Sequence, residues 1–299
     1  MYSFVRDKDS GITLIEGEAK SRDCIEMNRL YFMNGEMRLS ILKVIFMGLV
    51  LAQFLIPAVK GKDSTKVAHV FVALCDNTNQ GIVPVPSFLG NGQDPGNNLY
   101  WGARYGVRTF FDNSTEWMLQ AAIKNPSPSV LERCVFLAAC GNAYLVADAY
   151  DGAQIKKAVT DFLMSVSGNR LDSVSVNDKV VGIGGNSDLV AYVGHNGLMD
   201  FRLDSLPAAA NTIVRDAIIL ACASKAFFED AIKRTGANPL LWTTNLMAPE
   251  AYTLRAAIDA RFKGLDGEDV RTEAAEAYDQ YQKCGLRAAR RPLVTGSAR

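Results

Sequence analysis

From residue 67 onward, apolar residues fall in short blocks closed by turn residues, the pattern of strands buried on both faces of a parallel sheet. Val67 to Leu74 is one such block, and Leu189-Val190-Ala191-Tyr192-Val193, Ala217-Ile218-Ile219-Leu220-Ala221 and Leu240-Leu241-Trp242-Thr243 are others. Helical periods lie between and after them. Asp151-Gly152 leads into Ile155, Val159, Phe162, Leu163 and Val166, spaced for one apolar face. A second helix runs from Ser224 to Arg234 and stops near Gly236, and a third opens at Pro249, carries Leu254, Ile258 and Phe262, and ends at Gly264. A fourth covers about Glu268 to Lys283. Ser114-Thr115-Glu116 reads as a cap, predicting a helix to about Lys124 closed by Asn125-Pro126. The blocks 134–138 and 143–147, parted by Gly141-Asn142, predict a β-hairpin. The stretch from Asn177 to Asn186 predicts a Gly-rich turn; it precedes a strand instead of joining a strand to a helix, so the nucleotide fingerprint fails. Residues 80–106 are rich in Gly, Pro, Asn and Asp and predict a long irregular loop. Its Tyr100 and Trp101 either line a cleft or pin the loop to the core. Alternating strands and helices predict one α/β domain with a mostly parallel sheet over residues 62–285, followed by a basic, disordered tail at 286–299.

The first 61 residues follow a different logic. Arg38 and Lys43 precede the apolar run 44–56, then Pro57, then the small-residue site Val59-Lys60-Gly61. That order is the layout of a secretory signal peptide over residues 37–61, with a short membrane anchor as the alternative. Residues 1–36 carry mixed charge without a clear period and are expected to be a non-native upstream extension or disordered, with Met33 or Met37 as the real start. The sequence therefore predicts an exported protein, periplasmic or extracellular, without stable membrane insertion once the signal is cleaved.

Charge adds mainly exclusions. The 299 residues hold 32 basic and 32 acidic side chains, so nothing directs the chain to nucleic acid. Without Cys24, the exported chain keeps Cys75, Cys134, Cys140, Cys222 and Cys284, an odd number that leaves at least one thiol unpaired internally. Cys134 and Cys140 are close enough in sequence to bridge. Cysteine spacings match no zinc site, His69 and His195 are the only histidines, and no metal or other cofactor is implied.

Two of the apolar blocks end on reactive side chains. Gly194-His195-Asn196-Gly197 follows the first, and Cys222-Ala223-Ser224-Lys225 follows the second. Catalytic groups of open α/β sheets gather beyond the carboxyl ends of the strands, so His195 and Cys222 are expected side by side. A base next to a thiol is sufficient for nucleophilic catalysis. The helix beginning near Ser224 would favour a thiolate and hold an oxyanion, with Lys225 adding positive charge. Taken singly, each residue also has a plain structural reading: a packed cysteine and a hydrogen-bonded turn histidine.

Gly194-His195 and Ala221-Cys222-Ala223-Ser224, in that order and one strand apart, resemble the caspase-like clan of cysteine peptidases, which includes caspases, legumains, gingipains, clostripains and separases. The resemblance spans roughly residues 66–264. It implies a three-layer sandwich around a mostly parallel central sheet and a His195–Cys222 dyad. It also implies an oxyanion hole from the backbone N–H of Cys222 and of the glycine after the histidine. In the family that glycine follows the histidine directly; here Asn196 intervenes, so the donor would be Asn196 or Gly197. The pocket for the residue before the cut would draw on Asp76 and Asn77, which alternatively form an Asx-turn, or on Asp200. The function this implies is an exported endopeptidase that cleaves peptide or protein substrates through a thioester. The alternative is an inactive caspase-like domain serving as a secreted or periplasmic binding module. Acyl transfer by the same dyad would differ only in the acceptor.

Overall fold

The computed structural model describes residues 65–296. The signal-peptide and upstream-extension assignments, 37–61 and 1–36, lie outside the described residues. In chain order the elements are β1 (Lys66–Ala73), α1 (Val107–Asp112), β2 (Trp117–Ser127), β3 (Val130–Ala138), β4 (Ala143–Tyr150), α2 (Ile155–Val166), β5 (Leu171–Val176) and β6 (Lys179–Gly184). There follow β7 (Leu189–Val193), β8 (Asp216–Leu220), α3 (Ser224–Thr235), β9 (Asn238–Thr243), α4 (Ala251–Phe262), α5 (Gly267–Gln282), α6 (Leu286–Arg290) and β10 (Leu293–Val294).

Eight strands form one mixed sheet in the order β10-β9-β8-β7-β1-β4-β3-β2. The five central strands, β9, β8, β7, β1 and β4, are parallel neighbours, and antiparallel partners close both edges. Every residue of β4, β7 and β8 is buried, as expected of strands covered on both faces. The period of two sorts β1 between two cores. Ala68, Val70, Val72 and Leu74 pack with Phe111, Leu254, Ile258 and Val270 of α1, α4 and α5. Phe71 and Ala73 turn to the other face, onto Val159 and Phe162 of α2 and Phe228 and Ile232 of α3. Each such large side chain contributes about 1.5–3 kcal/mol by leaving water. The expected α/β class thus takes the form of a large, mostly parallel mixed sheet flanked by helices. Among the described residues no helix is long and apolar enough to cross a membrane.

Three expectations from the sequence are corrected. Residues 117–127 form strand β2, not a helix; they pair antiparallel with β3 from Trp117↔Ala138 onward. Local helix preference in Met118 to Lys124 yields to this ladder and to the burial of Trp117, whose Nε1 donates to Asp259 Oδ1 at 2.9 Å. Asn125-Pro126, read as a helix stop, falls at a register shift in the strand, with Asn125 at φ 49°. The Gly-rich turn resolves into the hairpin β5–β6, whose true turn is Asn177-Asp178, both at positive φ, the signature of a two-residue hairpin loop. Its Val174, Val176, Val181 and Ile183 cover Val67, Tyr144 and Val146 of the main sheet. The tail expected to be disordered forms α6 and β10, and Leu293 is buried where β10 pairs with β9.

Candidate active site

Parallel pairing sets the relation between the two reactive side chains. In the β7–β8 ladder Leu189 faces Asp216 and Val193 faces Leu220, an offset of 27 residues throughout. His195 and Cys222, two residues beyond the last pair on each strand, carry the same offset and so emerge at equivalent positions on adjacent strands. They lie at the carboxyl edge, with His195 on β7, the strand next to β1 where the order of connections reverses, and Cys222 one strand further out on β8.

Gly194 makes the exit to the histidine possible. Its φ of 144° suits glycine, and a Cβ there would come within 2.7 Å of the Ala73 carbonyl oxygen on β1. The His195 ring is nearly buried, and its Nε2 lies 2.8 Å from Asp200 Oδ2. A carboxylate only accepts, so Nε2 carries the proton and Nδ1 presents a lone pair. Asp200 is held in turn by the Gly81 N–H at 2.9 Å, and the buried Tyr192 hydroxyl donates to the His195 carbonyl at 2.7 Å. This places Asp200, one of the expected pocket residues, on the imidazole.

Cys222 is half-buried at the mouth of α3. The next residue, Ala223, has φ 49° and ψ 34°, a left-handed conformation that costs a non-glycine residue about 1–2 kcal/mol. Such strain persists only where surroundings over-determine it. Here Ala223 N–H donates to Asn245 O at 2.9 Å, Ser224 N–H to Thr243 Oγ1 at 3.1 Å, and Ser224 Oγ to Ile219 O at 2.9 Å. Thr243 Oγ1 also donates to the Ala221 carbonyl. The thiol Sγ lies 3.6 Å from Met247 O, and among the described residues no hydrogen bond joins it to His195. Lys225, expected to add charge beside the thiol, sits over the Trp242 ring at 5.7 Å.

Asn196 has a role that sequence reasoning missed. It is fully buried, and its Nδ2 donates to the Cys222 carbonyl at 2.7 Å, tying the histidine turn to the cysteine turn. Its Oδ1 is buried without a partner. Among the described residues, the backbone N–H groups of Asn196, Gly197 and Cys222 make no hydrogen bond. These are the donors expected for an oxyanion. Gly197 makes room for the Phe201 ring, which lies 2.7 Å from where its Cβ would be.

Asp76 and Asn77 are committed to the loop that follows β1. Asp76 Oδ1 accepts from Thr78 and Asn79 N–H, and Oδ2 from Asn79 Nδ2 and Gln93 Nε2, at 2.8–3.0 Å. Burial opposes its ionisation, but these donors outweigh it and hold the carboxyl below its ordinary range. That is the Asx-turn reading, in which the carboxylate is already saturated. Asn77 closes the same loop through paired bonds with Val85, 2.8 and 3.0 Å long. Trp101 is buried with Nε1 on Glu132 Oε2 at 2.6 Å, so it pins the loop to the core.

Among the other described thiols, Cys75 and Cys134 are buried, and burial pushes them up to about 11 and about 12. Cys134 and Cys140 are both free, in place of the suggested bridge. Cys140 and Cys284 are exposed. His69 is structural: its Nε2 lies 3.1 Å from Asp148, and its Nδ1 accepts from Gly184 N–H at 2.9 Å. No group of three or more His, Cys, Asp or Glu suited to a metal occurs among the described residues.

Chemically, the arrangement offers a strand-end thiol, an imidazole with a free Nδ1 oriented by a carboxylate, and backbone donors beside both. Comparison with protein-family models, curated proteins and solved structures finds no match to this chain.

Proposed function

We propose that this chain is a caspase-like cysteine peptidase, exported, in which Cys222 attacks the scissile carbonyl and His195 manages the proton. The observation that carries the reading is the shared register offset that brings His195 and Cys222 to equivalent positions on adjacent parallel strands. The imidazole supports it further, since Nε2–H on Asp200 leaves Nδ1 to take the thiol proton and later return it to the leaving amine. Asp200 acts here as a positioning residue, fixing tautomer and ring orientation as the third member of a catalytic triad does. The unpaired N–H of half-buried Cys222 is the donor placed to meet the oxyanion, and the strained, fastened turn at Ala223 gives the nucleophile a rigid seat.

One observation favours a second reading, a non-catalytic binding domain of the same fold. The Cys222 thiol is turned to the Met247 carbonyl, and the His195 ring bonds to Asp200 instead of to the thiol. Under the peptidase reading the thiol–imidazole bond forms only once substrate is bound. The two readings separate in one experiment. Purified protein is incubated with a panel of thiol-reactive peptide analogues and with a fluorogenic peptide library, alongside Cys222→Ala. The peptidase reading expects labelling and hydrolysis that both vanish in Cys222→Ala. Labelling that survives the substitution, or a wild-type protein that neither labels nor hydrolyses, overturns it.

A further inference from the structure

At the opposite edge of the sheet, the amino ends of β7, β8 and β9 border a half-open cavity of about 740 Å³. That volume suits a small molecule and not a folded partner. Its wall holds a cation without an anion. Arg215 is 3% exposed, and its guanidinium reaches only neutral acceptors: Gly185 O at 2.6 Å from Nε, and Ile213 O and Asn211 Oδ1 at 3.0 and 3.4 Å from Nη1. Among the described residues, Nη2 donates to no protein group and no carboxylate forms an ion pair with Arg215. The guanidinium packs on Gly168, where a Cβ would lie 2.9–3.0 Å from both terminal nitrogens. Burial, relieved by no neighbouring charge, pulls Arg215 below the usual arginine range. The second signal is Ser187, which lines the same cavity, is 4% exposed, and has a buried hydroxyl with no hydrogen-bond partner.

An unpaired buried hydroxyl costs about 1–3 kcal/mol and a buried charge without a partner costs more. One oxyanion bonded to Arg215 would relieve both once the Ser187 side chain rotates to bring its hydroxyl to the cavity wall. The two carboxylates of the wall do not serve Arg215. Asp188 Oδ2 accepts from Val67 N–H at 2.7 Å, and Asp216 accepts from Asn238 Nδ2 at 2.6 Å and Arg261 Nε at 2.5 Å. Asp216 is neutralised by Arg261, whereas Asp188 has no cationic partner among the described residues, so added negative charge is disfavoured more for a dianion than for a monoanion bonded to the free Nη2 of Arg215. Leu171, Ile213 and Val214 line the cavity as exposed apolar side chains, a surface suited to a hydrocarbon body.

We infer that this cavity binds a small organic monoanion, its carboxylate on Arg215 and Ser187 and its apolar body over Leu171, Ile213 and Val214. Full-length protein is titrated calorimetrically with octanoate, with its neutral amide, and with inorganic phosphate. Octanoate is expected to bind saturably at one site, with the amide and phosphate at least about tenfold weaker. Ser187→Ala and Arg215→Lys should each weaken octanoate by about tenfold or more. If Arg215→Lys fails to fold, Ser187→Ala decides alone, because it removes one hydroxyl without disturbing a packed charge. Absence of saturable octanoate binding, or affinity unchanged in the variants, overturns the assignment; phosphate binding as tightly as octanoate overturns the choice of ligand class. The readout is direct binding, so it is independent of any chemistry at Cys222.

Discussion

Replacing Asp148 by Asn tests how the centre of the sheet is held. Asp148 on β4 is fully buried, and its carboxylate accepts from Arg133 Nε and Nη2 on β3, at 2.6 and 2.7 Å, and from His69 Nε2 on β1, at 3.1 Å. Because Nδ1 of His69 accepts from the Gly184 N–H, the proton sits on Nε2 and the imidazole donates as a neutral ring. Burial opposes the charge on Asp148, but the bonds from Arg133 and His69 outweigh it and bring the carboxyl down to about 2 from 3.8. At about 1.36 kcal/mol per unit, this is about 2–3 kcal/mol of stability at neutral pH. A depressed carboxyl stabilises fully above its unfolded value, and that contribution drains away as pH falls from about 4 through about 2. Asp148→Asn keeps the volume and strands the Arg133 charge in the interior, a loss of about 3–5 kcal/mol at pH 7. Urea unfolding followed by tryptophan fluorescence measures both quantities. The gap between wild type and variant should narrow by about 1 kcal/mol between pH 5 and pH 3, where roughly half the linkage is lost. A gap that is independent of pH, or below about 1 kcal/mol at neutrality, would refute the reasoning.

Three further outcomes follow. Asp200→Asn removes a charge-assisted bond worth about 1.5–3 kcal/mol from the imidazole, so kcat/KM should fall about 10- to 100-fold with a displaced pH profile of Cys222 alkylation; an unchanged profile would mean the carboxylate does not orient His195. Ala223→Gly relieves the left-handed backbone, and urea unfolding should show a gain of about 0.5–1 kcal/mol; a loss would show that the turn is not strained. Asp259 behaves oppositely to Asp148: burial, only partly countered by Trp117, raises its carboxyl to about 6, so its stability contribution is lost as pH rises from about 4 through 6. Asp259→Asn should therefore stabilise by up to about 3 kcal/mol at pH 7 and by little at pH 4, and equal effects at both would contradict this account.

The parallel strands were legible because burial on both faces leaves an unbroken apolar run, as in β1, β7 and β8. Their helices were legible from the 3.6 period of residues such as Ile155, Val159 and Phe162. Strand β2 was not, because Met118-Leu119-Gln120-Ala121-Ala122 suits a helix and only the partner β3 makes it extended. The short segments after Gly285 were hidden for the same reason: β10 exists through pairing with β9. At the site, the positions of His195 and Cys222 followed from strand ends alone. The grip of Asp200 on the imidazole and of Asn196 on the Cys222 carbonyl did not, since each depends on how an irregular turn folds back. The Asx-turn at Asp76 was legible because Thr78 and Asn79 supply three of its donors, whereas the fourth, from Gln93, comes from seventeen residues away.

The path from His195 to Cys222 crosses between neighbouring parallel strands with no α-helix, only a short 3-10 turn at Gly197–Met199 and a stretch exposed from residue 208 to 214. Both reactive residues leave strands whose register is already set, and Asn196 fastens the two departures before the chain diverges. Spacing of the pair is therefore inherited from the sheet and insulated from the length of what joins them. Changes of length in the exposed stretch 211–214, at the amino edge of the sheet, can therefore be absorbed without altering the spacing of His195 and Cys222 at the carboxyl edge.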